Sequence, residues 1–196
     1  MRVNFYPDSD NKDFLKAAEE YKKIWSSDGE KIVRTIERIS GLKFKEKLLN
    51  VIVYHKRSWA LPMCLYDSMS TDQRKRALIH ELCHRILIGN GIEKVTKDLT
   101  SFVEIQGGRL NSHVLIDLIF FDILEELYGY DFAMDCVKYE IYAWGSETDN
   151  IYKDAWDWAL KLTKEERQNE FKNYFQILDL SPQLRNGNSK LIRLKQ

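Results

Sequence analysis

The run Ala77-Leu78-Ile79-His80-Glu81-Leu82-Cys83-His84-Arg85-Ile86-Leu87-Ile88 constrains this chain more than any other stretch, because it sets H-E-x-x-H inside an apolar segment. Helical periodicity puts His80 and His84 one turn apart on one face, where both imidazoles can reach one tetrahedral metal. Glu81 falls about 100° round the helix from His80. Its carboxylate then sits beside the metal without ligating it, placed to accept a proton from an attacking water. Leu78, Ile79, Leu82, Cys83, Ile86, Leu87 and Ile88 make the helix apolar on nearly every side, the pattern of a core helix. Two imidazoles and a carboxylate are costly to bury without partners, and a metal supplies one. Hydrogen-bonded core histidines with a surface glutamate are the plainer alternative. The chain has four histidines, and the motif uses two of them.

A chain of 196 residues supports one well-packed domain. Thirty basic and thirty acidic residues cancel, so nothing in the balance points to nucleic acid or an anionic membrane. The start, Met1 to Asp8, lacks the apolar run of a signal peptide, and no stretch approaches a membrane span, so the expectation is a cytoplasmic protein. The neutral balance and short chain are compatible with a monomer. Cys64, Cys83 and Cys136 are widely spaced with no C-x-x-C pair, the pattern of buried free thiols.

The elements follow from periodicity. Met1 to Tyr6 reads as a short strand stopped by Pro7. Two helical stripes, from Asn11 to Trp25 and over Ile32 to Ile39, are either separate helices or one helix interrupted at Gly29. Leu48 to Tyr54 suits a buried strand, and Ser58 to Tyr66 an edge strand, because Pro62 bars it from a central position. Such an edge could take up an extended peptide by strand addition, or be a twisted edge with no ligand. Ser70-Thr71-Asp72-Gln73 caps the motif helix, expected from Asp72 to Ile88 and stopped at Gly89-Asn90-Gly91. Arg74-Lys75-Arg76 in its first turns reads as a solvated face. A strongly apolar helix is expected from His113 to Tyr128, with further helices over Tyr130 to Trp144, Asp154 to Leu162 and Thr163 to Leu178. Residues 1–180 form a single domain on this reading, and 181–196 a polar, basic tail.

A catalytic zinc takes three protein ligands and keeps one open position. His113 is the leading third ligand, and Asp117, one turn later on the same face, could accept the second N–H of His80 or His84 and orient it. Asp117 itself, Glu104 and Glu140 are the reserve ligands. Asp122, Glu125 and Glu126 fall on the far side of that helix and read as solvated, and His55 as exposed.

Ala77 to Ile86 resembles the signature of the zincin metallopeptidases, and the order of helix, strands, edge strand, motif helix and ligand helix over Gly29 to Tyr128 is similar to their minimal catalytic domain. In the thermolysin-like gluzincin branch a glutamate on a downstream helix is the third ligand, followed four residues later by an orienting aspartate. His113-x-x-x-Asp117 has that spacing with histidine in place of glutamate. Arg85 stands where the extended signature prefers an uncharged residue, and the longer H-E-x-x-H-x-x-G-x-x-H run of the metzincins is absent. The resemblance implies an α+β fold, mostly helical, with a small sheet whose edge strand precedes the motif helix. It further implies a zinc-dependent hydrolase acting on a peptide or protein substrate, with Glu81 as general base. A tyrosine or histidine usually steadies the oxyanion in such sites, and Tyr128, Tyr139 and Tyr142 lie downstream of the ligand helix. The rival function is a non-catalytic metal-binding or regulatory interaction domain built on the same fold.

Overall fold

The computed structural model describes residues 1–95, 101–105, 108–144 and 151–179, and the side chains of 1–93, 113–143 and 152–174. The polar tail expected at 181–196 lies outside the described residues. The fold is α+β and mostly helical, with one three-stranded parallel sheet and one small antiparallel sheet.

Strand β1 (Arg2–Pro7), helix α1 (Lys12–Ser40) and strand β2 (Leu48–Tyr54) form a β-α-β unit, with β3 (Cys64–Tyr66) on the outer side of β2 and all three strands parallel. Period-two alternation buries Val3, Phe5, Leu49, Val51 and Val53 on the face that receives α1, while Leu48 and Ile52 stay exposed on the other. The strand expected to be wholly buried therefore has one wet face. Helix α1 is continuous. Asn11 caps it by accepting from Asp13 N–H, and Gly41 ends it in the left-handed region at φ 71°. Gly29 does not interrupt it. A Cβ there would meet the Trp25 indole at 2.7 Å, so the glycine makes room for the ring.

The expected edge strand Ser58 to Tyr66 is shorter than its apolar pattern suggests. Only Cys64–Tyr66 pairs with β2, and the preceding segment folds back so that Trp59 and Cys64 exchange both backbone hydrogen bonds, at 2.9 and 2.8 Å. Ser58 Oγ accepts from Tyr66 N–H, and the Tyr21 hydroxyl donates to Tyr66 O. The outward groups of β3 are thus satisfied by the chain itself, which closes this strand to peptide addition.

Helix α2 (Thr71–Gly89) carries the motif, with Ser70 and Gln73 in a reciprocal capping box of the kind that contributes about 1 kcal/mol. Next come β4 (Lys94–Val95), β5 (Ser101–Ile105) and β6 (Gly108–Asn111), which form a small antiparallel sheet. Helix α3 (Ser112–Tyr128) is the hub. Leu115, Ile116, Leu118, Ile119, Phe120, Ile123 and Leu124 are all buried, and α1, α2, α4 (Tyr130–Trp144), α5 (Ile151–Ala159) and α6 (Lys164–Asp179) pack around it. No helix among the described residues is long and apolar enough to cross a membrane.

Encirclement explains a departure on α3. Asp122, expected on a solvated face, is fully buried because α6 covers that face, and Arg167 Nη2 donates to its Oδ1 at 2.5 Å. Glu126 does lie toward solvent, paired with Arg38.

Candidate metal centre

The i, i+4 spacing on α2 brings His80 Nε2 to 3.2 Å from His84 Nε2. His113, in the first turn of α3, completes a cluster in which one ligand atom from each of the three residues lies within 4.8 Å of the others. Tetrahedral coordination at Zn–N of about 2.0–2.1 Å puts ligand nitrogens about 3.3 Å apart, the separation of the His80 and His84 pair. The packing of α2 against α3 holds the third ring, and Phe120 of α3 sets its edge against His80 with ring centres 5.3 Å apart.

Two buried glutamates settle which nitrogens face inward. His84 Nδ1 donates to Glu93, with both carboxylate oxygens at 2.9 Å. His80 Nδ1 lies 3.0 Å from Glu140 Oε1, an ion-pair contact with the N–H axis turned off the oxygen rather than a linear hydrogen bond. With its proton on Nδ1, His84 presents a lone pair at Nε2, and His80 Nε2 faces it at 3.2 Å, a separation satisfied either by one shared proton or by a cation bound to both nitrogens. The donor set fits a zinc ion.

The electrostatics of the cluster differ from one imidazole to the next. Burial pushes the His80 imidazole down, but Glu140 outweighs it and the net direction is upward. Burial, reinforced by His80 and His84, holds His113 well below the usual imidazole range, hence neutral and able to ligate. Burial raises the Glu81 carboxyl above its ordinary value, with His80 and His84 pulling the other way.

Neither orienting glutamate was assigned that role from the sequence. Asp117 was expected there, and it is fully buried four residues after His113, but the carboxylates beside His80 and His84 are Glu140 and Glu93. Neither Asp117 oxygen has a hydrogen-bond partner among the described residues, and burial together with the Glu140 charge holds its carboxyl well above the usual range. Glu104 lies on β5, its side chain outside the described residues. Glu93 was legible only indirectly. The Gly89-Asn90-Gly91 stop folds the chain back so that Ile92 N–H donates to Leu87 O, which carries Glu93 alongside His84. Glu140 is fixed by α5, where Trp156 Nε1 donates to its Oε2 at 3.1 Å. Replacing Glu93 or Glu140 with glutamine should weaken zinc binding by about 10- to 100-fold without unfolding the chain, measured by competition with a chelating dye. Unchanged affinity in both variants would remove them from the site.

A cleft of about 490 Å³ opens onto the histidines, walled by the segment after β2 on one side and by Tyr139 of α4 and Tyr152 of α5 on the other. Glu81 and His80 both line it. Tyr152, not singled out from the sequence, sets its ring 4.8 Å from that of His113. Tyr139 also faces the cleft, whereas the Tyr128 hydroxyl donates to Asp28 away from it and Tyr142 is 89% exposed. Arg85, the departure from the motif, points to another wall, pairing with Glu46 and donating to Ala60 O of the cleft segment. His55 is 70% exposed on the rim, with Asp67 Oδ1 3.1 Å from its Nδ1. All three cysteines are free and buried, as their spacing predicts, and burial pushes the Cys83 thiol far above its usual range, which keeps it unreactive. Compared with protein-family models, curated proteins and solved structures, the chain matches none.

Proposed function

We propose that this chain is a zinc-dependent hydrolase of peptide bonds, similar in its site to the gluzincin metallopeptidases. The observation that carries the reading is the cluster of His80, His84 and His113, with the first two Nε2 atoms 3.2 Å apart, a carboxylate beside each of their Nδ1 atoms, a neutral third imidazole, and Glu81 in the same cleft. His80, His84 and His113 would hold zinc, which when bound supplies a water nucleophilic at neutral pH and polarises a carbonyl. Glu93 accepts the proton of His84 Nδ1, and the Glu140 charge beside His80 Nδ1 favours the same tautomer there, which would keep the opposite nitrogens available. Glu81 takes the proton of the attacking water on a carboxylate oxygen and delivers it to the leaving amine. Of the tyrosines, Tyr139 and Tyr152 line the cleft, and their hydroxyls would be the donors to the developing oxyanion. A cleft of this size accommodates a few residues of an extended peptide. Three buried free thiols suit a reducing compartment, so the cytoplasm is the proposed location.

The test is hydrolysis of a quenched-fluorescent peptide library by the zinc-loaded chain, with the Glu81→Gln protein as control. Cleavage by the first and none by the second supports the reading. No cleavage by either, with zinc bound, would leave the non-catalytic interaction domain as the better account.

A further inference from the structure

We propose that Arg76 anchors a carboxylate of the substrate, one or two residues from the bond that is cut; the inference rests on the peptide-hydrolysis reading of the same cleft. Arg76 stands one helical turn before His80 on α2 and lines the cleft with His80 and Glu81. It was expected on a solvated face, yet it is only 6% exposed. Its guanidinium lies 3.3 Å from the Tyr139 ring centre, a cation–π contact that uses none of its N–H donors.

Among the described residues, three other buried or half-buried arginines on or against the helical core pair with a carboxylate. Arg74 holds Glu20 at 2.5 Å and donates to Asp67 O, Arg85 holds Glu46, and Arg167 holds Asp122. Arg76 makes no hydrogen bond or ion pair among the described residues. Glu140, also in the cleft, is already engaged by His80 and Trp156. A guanidinium carries five N–H donors, and taking its charge from water without an anion is costly. A cation held in this way against a cleft is suited to an anion that arrives with the ligand. Its planar fork matches a carboxylate through two parallel hydrogen bonds.

Spacing limits where that carboxylate sits. Four helical residues are about 6 Å of axis, and an extended peptide advances about 3.3 Å per residue. For a peptide lying along α2, the two lengths put the anion about one or two residues from the scissile bond. A free peptide C-terminus and an aspartate or glutamate side chain would present the same group.

Zinc-loaded Glu81→Gln protein, which binds without cutting, separates these cases by fluorescence anisotropy. Three dye-labelled peptides are compared: one with a free C-terminal carboxylate, the same peptide as its amide, and that amide with a single glutamate introduced beside the central bond. At least one carboxylate form is expected to bind about 10- to 100-fold more tightly than the plain amide. The preference should vanish when Arg76→Met is added with zinc content unchanged, and the form that shows it identifies the source. Should Arg76→Met not fold, Arg76→Lys decides, since a two-pronged anchor loses much of the preference and an uninvolved residue loses none. Equal binding of all three peptides, or a preference that survives the loss of Arg76, overturns the proposal while leaving hydrolysis standing. No binding of any peptide by zinc-loaded protein overturns the peptide reading itself.

Discussion

Replacing Glu81 with glutamine should lower the turnover of a cleaved peptide by about 10²- to 10⁴-fold, the range general-base catalysis supplies, with zinc content unchanged. Glutamine keeps the shape and volume of the side chain but cannot accept the proton. Glu81 is nearly buried, and burial already disfavours its charged form. The substitution therefore removes an unfavourable buried charge, and thermal stability should hold or rise slightly. Two measurements decide the matter together: kcat on one peptide, and zinc per chain. Retained turnover would exclude Glu81 as the base, and loss of zinc along with turnover would make it a ligand instead.

The largest effect on stability is expected at the far end of α3. Arg167→Met should destabilise the chain by about 3–5 kcal/mol, the usual result of removing one partner from a buried ion pair. Arg167 donates to Asp122, and also to the carbonyls of Leu162 and Ala159, tying the start of α6 to the end of α5 and to the hub helix. Asp122 would be left fully buried with no counter-charge. Chemical denaturation of Arg167→Met beside the double variant Asp122→Leu, Arg167→Met checks the cause. The double variant should recover most of the loss, because apolar side chains can replace a buried pair at little net cost. Equal destabilisation of both would show that the carbonyl contacts, and not the charge pair, carry the energy.

What the sequence made legible is what one element encodes by itself. The i, i+4 spacing of His80 and His84, the Ser70 to Gln73 cap and the span of β2 are local, and each lies where its periodicity puts it. His113 was accessible because an imidazole opening an apolar helix is conspicuous. Residues whose roles depend on a second element were misplaced. Asp122 looks solvated on a helix considered by itself, and α6 supplies both the cover and the counter-ion. Glu93 and Glu140 reach the histidines from a turn and from α4, at sequence separations that no local pattern records. Arg74 and Arg76 were part of a basic run, the usual mark of a wet helix face, until α1 and α4 packed on it. The apolar run from Ser58 to Tyr66 concealed a fold-back that only the backbone hydrogen bonds at Trp59 reveal.

A three-histidine zinc site is tested by elemental analysis of the chain purified without chelators, beside His80→Ala, His84→Ala and His113→Ala. One zinc per chain, lost in all three variants, is the expected result. Zinc retained in full by His113→Ala would contradict the assignment of the third ligand, and no zinc in the wild-type chain, even after reconstitution, would contradict the site itself.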